Sequence, residues 1–478
     1  MVWRNGAKQA QLRPDYRTES RRVTMRFSDE GEAITYIFRS MRKLRGVQRG
    51  PDENMRDTGP TRRLLHAAGL LDTPREYAVV TGSKGKGSTT AITAKLLQHL
   101  GHRTGMITSP HLVSWRERIR VDGQAIPDAD LRRILGDLAP DIDAIEDTLT
   151  GQQYFSPQGI FLAVALRWFD ELGVSAAVLE VGRGGRYDDI AVVPNKLSLF
   201  TPILLEHPQQ LGPTPARIAW HKAGIIKPYS YAYSVPQPPD VLDVLQAEAD
   251  TQGAEFNWIA PKDLGEYLGP TADGRGIRME LGRYGEVSLS LLGRYEIMNA
   301  TLAVIGAGNL HGRLAGIPHG SPEYVERIRA GLAGVFWPGR CHRLQDHPTV
   351  FVDGAITVPS AQSFLESVAP YTSRPTVIIA GVPQDRDYPG VYAALAPACD
   401  ALILTHSTIN DKVVFPPPEV ALAAARQVYP GAEYADTLPA AFERARALAG
   451  TDGTILMAVA QPLVGEAMLM WGLSFETI

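Results

Sequence analysis

Residues 79–101 read VVTGSKGKGSTTAITAKLLQHLG, and the architecture of the chain can be worked outward from them. A short apolar run, YAVVTG, reads as a strand entering a glycine-rich loop, and the segment behind it reads as a helix closed by Gly101. Gly82, Gly85 and Gly87 permit a backbone whose N–H groups curl inward around phosphate oxygens. Lys86 supplies a cation for the outer phosphates, Ser88 a hydroxyl for magnesium, and Thr89 follows it into the helix. The helix N-terminus points its positive end at the same anion. The spacing is G-x-x-G-K-G-S-T; a glycine between Lys86 and Ser88 departs from the strict G-x-x-x-x-G-K-[ST] pattern. Strand, loop, lysine, hydroxyl and helix in this order mean a bound nucleotide.

The alternation continues on both sides. SDEGEAITYIFRSMRKL reads as a helix capped by Ser28 or Asp29, and TRRLLHAAGLL as a second. RTGMITSPH is a strand, DADLRRILGDL a helix with Asp128 near its start, GIFLAVALRWFDELG a buried helix, and VSAAVLEVGRGG a strand ending in glycines. Such a series predicts an α/β fold with a doubly wound parallel sheet covered on both faces. After WPGR (337–340) a second series begins, with strands TVFVDGA, PTVIIAGV, ALILTHS, AEYAD and GTILMAVA. PPPEVALAAARQVY and LPAAFERARALAG are among its helices. It predicts a smaller Rossmann-like α/β domain. The expected organisation is a disordered tail over 1–27, a nucleotide-binding domain over 28–336 and a C-terminal domain over 337–478.

The bulk numbers exclude other classes. A chain of 478 residues is too long for one ordinary core, and 44% hydrophobic with 21% charged residues describes a globular protein. A net charge of −4 offers no basic field for nucleic acid or an anionic membrane. Two cysteines, Cys341 and Cys399, make neither a disulfide framework nor a metal cluster, which points to a reducing, cytoplasmic setting. GTILMAVAQPLVGEAMLMWGL carries Gln461, Pro462 and Glu466 and reads as a strand then a helix rather than a membrane span. The first residues hold several arginines, but Asp15 and Glu19 argue against a transit peptide, leaving a tail or a working start at Met25.

G-x-x-G-K-G-S-T is the loop variant of the Mur ligase superfamily, and later segments narrow the match. TGMITSPHLVSWRERIRVDGQAI, AVLEVGRGGRYD, LGPTPARIAWHKAGIIKP, LLGRYEIMNATLAV and WPGR closely resemble the folylpolyglutamate synthase and dihydrofolate synthase family. FVDGA, GVPQDRDYPGVYAALAP and PLVGEAM continue the resemblance, which covers nearly everything from about residue 30 onward. It implies an ATP-dependent ligase that phosphorylates a carboxylate and lets an amine displace the phosphate. The substrates it implies are a folate-like acid and glutamate; no nucleic acid and no membrane enter. Lys86, Glu180, His207 and Lys222 match catalytic positions. Gly82, Gly85, Gly87, Ser88, Thr89, Asn299, Arg340 and Asp353 match positions around the nucleotide. Ser88, Ser109, Glu180 and His207 match magnesium-holding positions, and Lys222 matches a lysine that is carbamylated in these enzymes.

Departures cluster on the site side. The usual D-x-A-H-N-P reads DGAITV, with Ile356, Thr357 and Val358 in place of His-Asn-Pro, and an aliphatic side chain cannot donate to a phosphate. GGRYDDIA loses the Ala-Thr-Asn that usually follows the aspartate, and Glu206 with His207 replaces Asp-His. Phe155, Ser156 and Pro157 stand where Phe-Glu is usual, and Tyr295 with Glu296 where His-Gln is common. Two readings stay open at this point: a working ligase with altered substrates, or a nucleotide-binding relative with little ligase turnover. A kinase or GTPase switch fits neither the loop spacing nor the second domain.

Overall fold

A computed structural model describes residues 26–47, 50–409 and 413–478. The tail and the start at Met25 lie outside these residues, apart from the last two positions of the tail. Arg26 pairs with Asp143 at 2.7 Å, and Phe27 is buried with its ring 5.0 Å from that of Tyr36.

The first sheet is built from β1 (Glu76–Thr81), β2 (Thr104–Ile107), β3 (Ile119–Val121), β4 (Gln124–Ala125), β5 (Ala176–Glu180), β6 (Leu197–Phe200), β7 (Tyr231–Ser234) and β8 (Glu255–Trp258). Their order is β4-β3-β2-β5-β1-β6-β7-β8. Two-sided burial explains why the central strands read as continuous apolar runs. Tyr77 and Val79 of β1 join one core, while Ala78 and Val80 join the other, as the two-residue strand period requires. The helix Lys86–His99 covers the second face together with the helix Glu296–His311. The helix Pro157–Glu171 lies in the first core.

A meander of β9 (Glu266–Pro270), β10 (Ile277–Glu280) and β11 (Glu286–Leu289) forms a three-stranded sheet. The third sheet comprises β12 (His342–Asp346), β13 (Thr349–Asp353), β14 (Thr376–Gly381), β15 (Ala401–Leu404), β16 (Glu433–Tyr434) and β17 (Thr454–Val459), ordered β12-β13-β17-β14-β15-β16. Both large sheets are mixed rather than wholly parallel. β3 and β4 run antiparallel beyond β2, and β12 runs antiparallel to β13. Tight returns such as Asp122 and Gly123, both at positive φ, permit these edge hairpins without a crossover helix. The helix expected over DADLRRILGDL runs on as Asp128–Glu146, because Ile142 and Ile145 continue its apolar face past Pro140.

The chain's last residues return to the first sheet. Ala125 N donates to Glu476 O at 2.8 Å, Ile478 N donates to Gly123 O at 3.1 Å, and Gln124 bridges Thr477. Arg120, fully buried, donates to the carbonyls of Phe475 at 2.6 Å and Gly123 at 3.0 Å. The Phe475 ring meanwhile sits in the core of the third sheet.

Among the described residues no helix is long and apolar enough to cross a membrane. Both cysteines are unpaired and buried.

Packing inside the fold lowers the pKa of some histidines. His102 Nε2 meets His311 Nδ1 at 2.7 Å, and the other His311 nitrogen meets Ile317 O at 2.7 Å. Burial and then His311 hold His102 below the ordinary imidazole pKa; burial and then Arg275 hold His342 at about 4. These groups bind fewer protons folded than unfolded. Their stabilisation is therefore present above pH ~6.5 and lost as pH falls through it, each adding up to about 1.4 kcal/mol per pH unit to the slope. The midpoint of urea unfolding is expected to drop from pH 7.5 to pH 5, and His342→Gln is expected to flatten that decline.

Candidate active site

The loops after β1, β2, β5 and β6 all leave the carboxyl ends of neighbouring parallel strands, where open α/β sheets place ligands. Gly85 has φ +84, and a Cβ there would sit 2.3 Å from Asn299 Oδ1; only glycine lets the loop turn this close to the helix Glu296–His311. Lys86 Nζ donates to Gly82 O at 2.9 Å, so the loop's own carbonyl holds the ammonium over its mouth. Ser88 Oγ, buried in the first turn of the following helix, donates to Glu296 Oε1 at 2.7 Å. Asn299 Nδ2 donates to Glu296 Oε2 at 2.8 Å, and Thr89 Oγ1 reaches Asn299 Oδ1 at 3.4 Å. Ser88, Thr89 and Asn299 thus form one cluster.

Glu180 ends β5 and is 4% exposed. Burial raises its pKa to about 6, against the pull of Lys86, the Ser109 N–H, Arg340 and Arg118. Ser109 N donates to Glu180 Oε2 at 2.9 Å. Arg118 stacks over Trp115 at 4.4 Å and donates to His111 Nδ1 at 3.1 Å; burial lowers its pKa to about 10.

Lys222, 1% exposed on the helix Pro215–Ala223, donates to Gly82 O at 2.8 Å and to Glu206 Oε1 at 2.9 Å. Two lysines therefore converge on one loop carbonyl. Burial brings the Lys222 pKa down to about 8, with Lys86 adding to the shift and Glu206 opposing it. Burial pushes the Glu206 carboxyl up, but Lys222 and Lys86 outweigh it and hold the group below its usual value. His207 follows Glu206 on the loop after β6. It is exposed at φ +46, and among the described residues no hydrogen bond or ion pair joins it to Ser88, Ser109 or Glu180.

The third sheet closes the other side. Arg340, Trp337 and Gln461 share a cleft of ≈ 60 Å³ with Ser109, Glu180 and Gly87. Gln461 Nε2 donates to His111 O at 2.9 Å, joining the two sides. Asp353 Oδ2 accepts from Cys341 N at 2.8 Å and from the Tyr295 hydroxyl at 3.0 Å. Its pKa is raised by burial, with Arg340 opposing. Ile356 lies in a second cleft, ≈ 410 Å³, with Pro383, Arg386 and Val414.

Ser88, Ser109 and Glu180 are the hard oxygen donors a magnesium ion takes, and the buried Glu180 carboxylate suits a dication better than solvent. His207, expected in the same set, lies exposed on the loop after β6, directly after Glu206. Among the described residues no three His, Cys, Asp or Glu side chains gather as a metal cluster, so phosphate oxygens and water would complete the coordination. Glu206, Glu296, Arg118 and Gln461 were not assigned roles from the sequence. Glu296 and Glu206 stand out there only as departures from a motif; Arg118 lies within a quoted segment that gives it no role, and Gln461 carries no local signal.

Residues 339–460 match the family model described as Mur ligase, glutamate ligase domain. The folylpolyglutamate synthase of Lacticaseibacillus casei is 31% identical over 363 residues, 74% of this chain and 80% of that protein. The dihydrofolate synthase/folylpolyglutamate synthase of Mycobacterium tuberculosis is 31% identical over 360 residues, covering 71% and 72%. A solved structure of Mycobacterium tuberculosis folylpolyglutamate synthase complexed with ADP superposes with a TM-score of 0.78 at 27% identity, covering 92% of this chain and 99% of that one. With that coverage and the loop, strand-end and cleft geometry above, the chain belongs to the folylpolyglutamate synthase/dihydrofolate synthase family of ATP-dependent ligases.

Proposed function

We propose that the protein joins a folate-like carboxylic acid to L-glutamate at the expense of ATP, acting in the cytoplasm. The observation that carries this reading is the convergence of Lys86, Glu180 and Lys222 at one set of parallel strand ends, facing Arg340 across a cleft. The proposed organisation is a nucleotide domain over 28–336 and a ligase domain over 337–478.

In this reading the substrate carboxylate attacks the γ-phosphorus and the bond to the β-phosphate oxygen breaks, leaving ADP and an acyl phosphate. The amino group of glutamate then attacks the carbonyl carbon, phosphate leaves with the bonding electrons, and the nitrogen sheds a proton. Lys86 and the inward loop N–H groups gather negative charge from oxygens that would otherwise repel. Arg340, brought in with the third sheet, adds a cation from the opposite wall, and Trp337 helps exclude water from the cleft. Ser88, Ser109 and Glu180 would hold magnesium, which supplies charge neutralisation at the transferring phosphate. Lys222 is proposed to carry a carbamate; its pKa near 8 leaves more neutral amine for carbon dioxide than an ordinary lysine would.

A second reading, another amino acid in place of glutamate, draws on Ile356. That side chain gives the larger cleft an aliphatic wall beside Arg386. The test is phosphate release from ATP with dihydropteroate or tetrahydrofolate and each common amino acid, with product masses recorded. Release that needs folate and glutamate together, with a mass gain of one glutamyl residue, is the expected result. Release with a different amino acid selects the second reading, and ATP binding without turnover under every pair removes both.

A further inference from the structure

Glu296 is fully buried, yet it is an acidic side chain beside a phosphate-binding loop. It opens the helix Glu296–His311 and faces the first turn of the helix Lys86–His99, so its carboxylate lies at two helix N-termini. Both ends favour negative charge. Both carboxylate oxygens are engaged: Oε1 by the Ser88 hydroxyl at 2.7 Å and Oε2 by Asn299 Nδ2 at 2.8 Å. The Ser88 proton therefore has a fixed acceptor on the side facing Glu296.

We infer that Glu296 is a positioning residue for the divalent cation bound with the nucleotide, an inference that rests on Ser88 facing that cation. A hydroxyl has one proton and two lone pairs. A serine whose proton is taken by a carboxylate keeps its lone pairs for a metal and is polarised into a better donor. Burial pushes the Glu296 carboxyl pKa up while the Asn299 and Ser88 hydrogen bonds hold it down, and in its ionised form it places negative charge behind that donor, which a glutamine of the same shape lacks. The charge has the opposite effect on bare phosphate: without a cation between them, the carboxylate repels the nucleotide.

The two effects separate in a binding experiment. Mn²⁺ serves as the probe, titrated against the full chain with ADP and followed by electron paramagnetic resonance; ADP binding is measured separately in excess chelator. Glu296→Gln is expected to weaken Mn²⁺ binding in the ADP complex about tenfold. Its metal-free ADP affinity should stay equal or rise. In a Ser88→Ala background the same substitution is expected to change Mn²⁺ affinity much less. A merely structural role would weaken both nucleotide measurements together, and that outcome, or unchanged Mn²⁺ affinity, overturns the inference. If Glu296→Gln loses its fold, Glu296→Asp keeps the charge but withdraws it by one methylene. Several-fold weaker Mn²⁺ binding in that variant supports the inference, and wild-type affinity overturns it. Absence of any ADP or Mn²⁺ binding by the unaltered chain would instead remove the functional reading itself.

Discussion

Lys86→Ala is expected to lower kcat/KM for ATP by about 10²–10³-fold while leaving the fold intact. The Lys86 ammonium lies over the loop mouth on Gly82 O, and its charge reaches Glu180 and Glu206, lowering both carboxyl pKa values. Removing it takes away a cation at the place where phosphate charge gathers. It also lets the Glu180 pKa rise further above about 6. The acid limb of the activity profile should therefore move to higher pH in whatever activity remains. Lys86→Arg is not expected to restore the rate, since a planar guanidinium is bulkier than an ammonium and presents its charge differently. ADP release across pH 5.5–9, with melting temperature as a control, checks all three points. Activity in Lys86→Ala within threefold of the unaltered chain would remove the lysine from the mechanism.

The largest stability loss is expected away from the loop, at Arg56. Its guanidinium lies 3.1 Å from Asp188, 3.6 Å from Asp189 and 3.9 Å from Asp52, and all three carboxylates are almost wholly buried. Asp52 is also held by Arg183, but Asp189 has only Arg56 as an ion-pair partner among the described residues. Arg56→Ala strands buried negative charge and is expected to cost about 3–5 kcal/mol. The sign with pH follows from Asp189, whose pKa burial already raises despite Arg56. A carboxyl with a raised folded pKa favours the folded state below that pKa and loses the advantage as pH rises. The deficit of Arg56→Ala should accordingly be smaller at pH 5 than at pH 8 in urea unfolding. A loss below about 1 kcal/mol at pH 8 would mean the carboxylates find water or other donors instead.

The central strands and the loop were legible in the sequence because their signals are local. Two-sided burial gives β1, β5 and β14 unbroken apolar runs, and glycine spacing marks the turn after β1. The edge hairpin of β3 and β4 and the meander of β9 to β11 were not read. Their strands are short and half polar, with buried and partly exposed positions alternating over two to four residues, too brief to separate from loop. In the site, Lys86, Ser88 and Lys222 could be placed by motif. The Lys222–Glu206 pair and the Ser88–Glu296 contact could not, because the latter joins residues 208 positions apart and no spacing rule connects them. The left-handed backbone at His207 was likewise hidden, since a motif fixes order along the chain but not the turn a loop takes.

The return of the chain to β4 has a mechanical consequence. The chain itself crosses between the third sheet and the first at two places: the run through Pro338 and Gly339, and the final residues held by Arg120 and the edge of β4. A body fixed at one point can swing in any direction, whereas one fixed at two can only turn about the line between them. Arg340 and Gln461, which meet Glu180 and His111 across the closed cleft, would then part from them and return on a single arc, as a door leaf meets its frame.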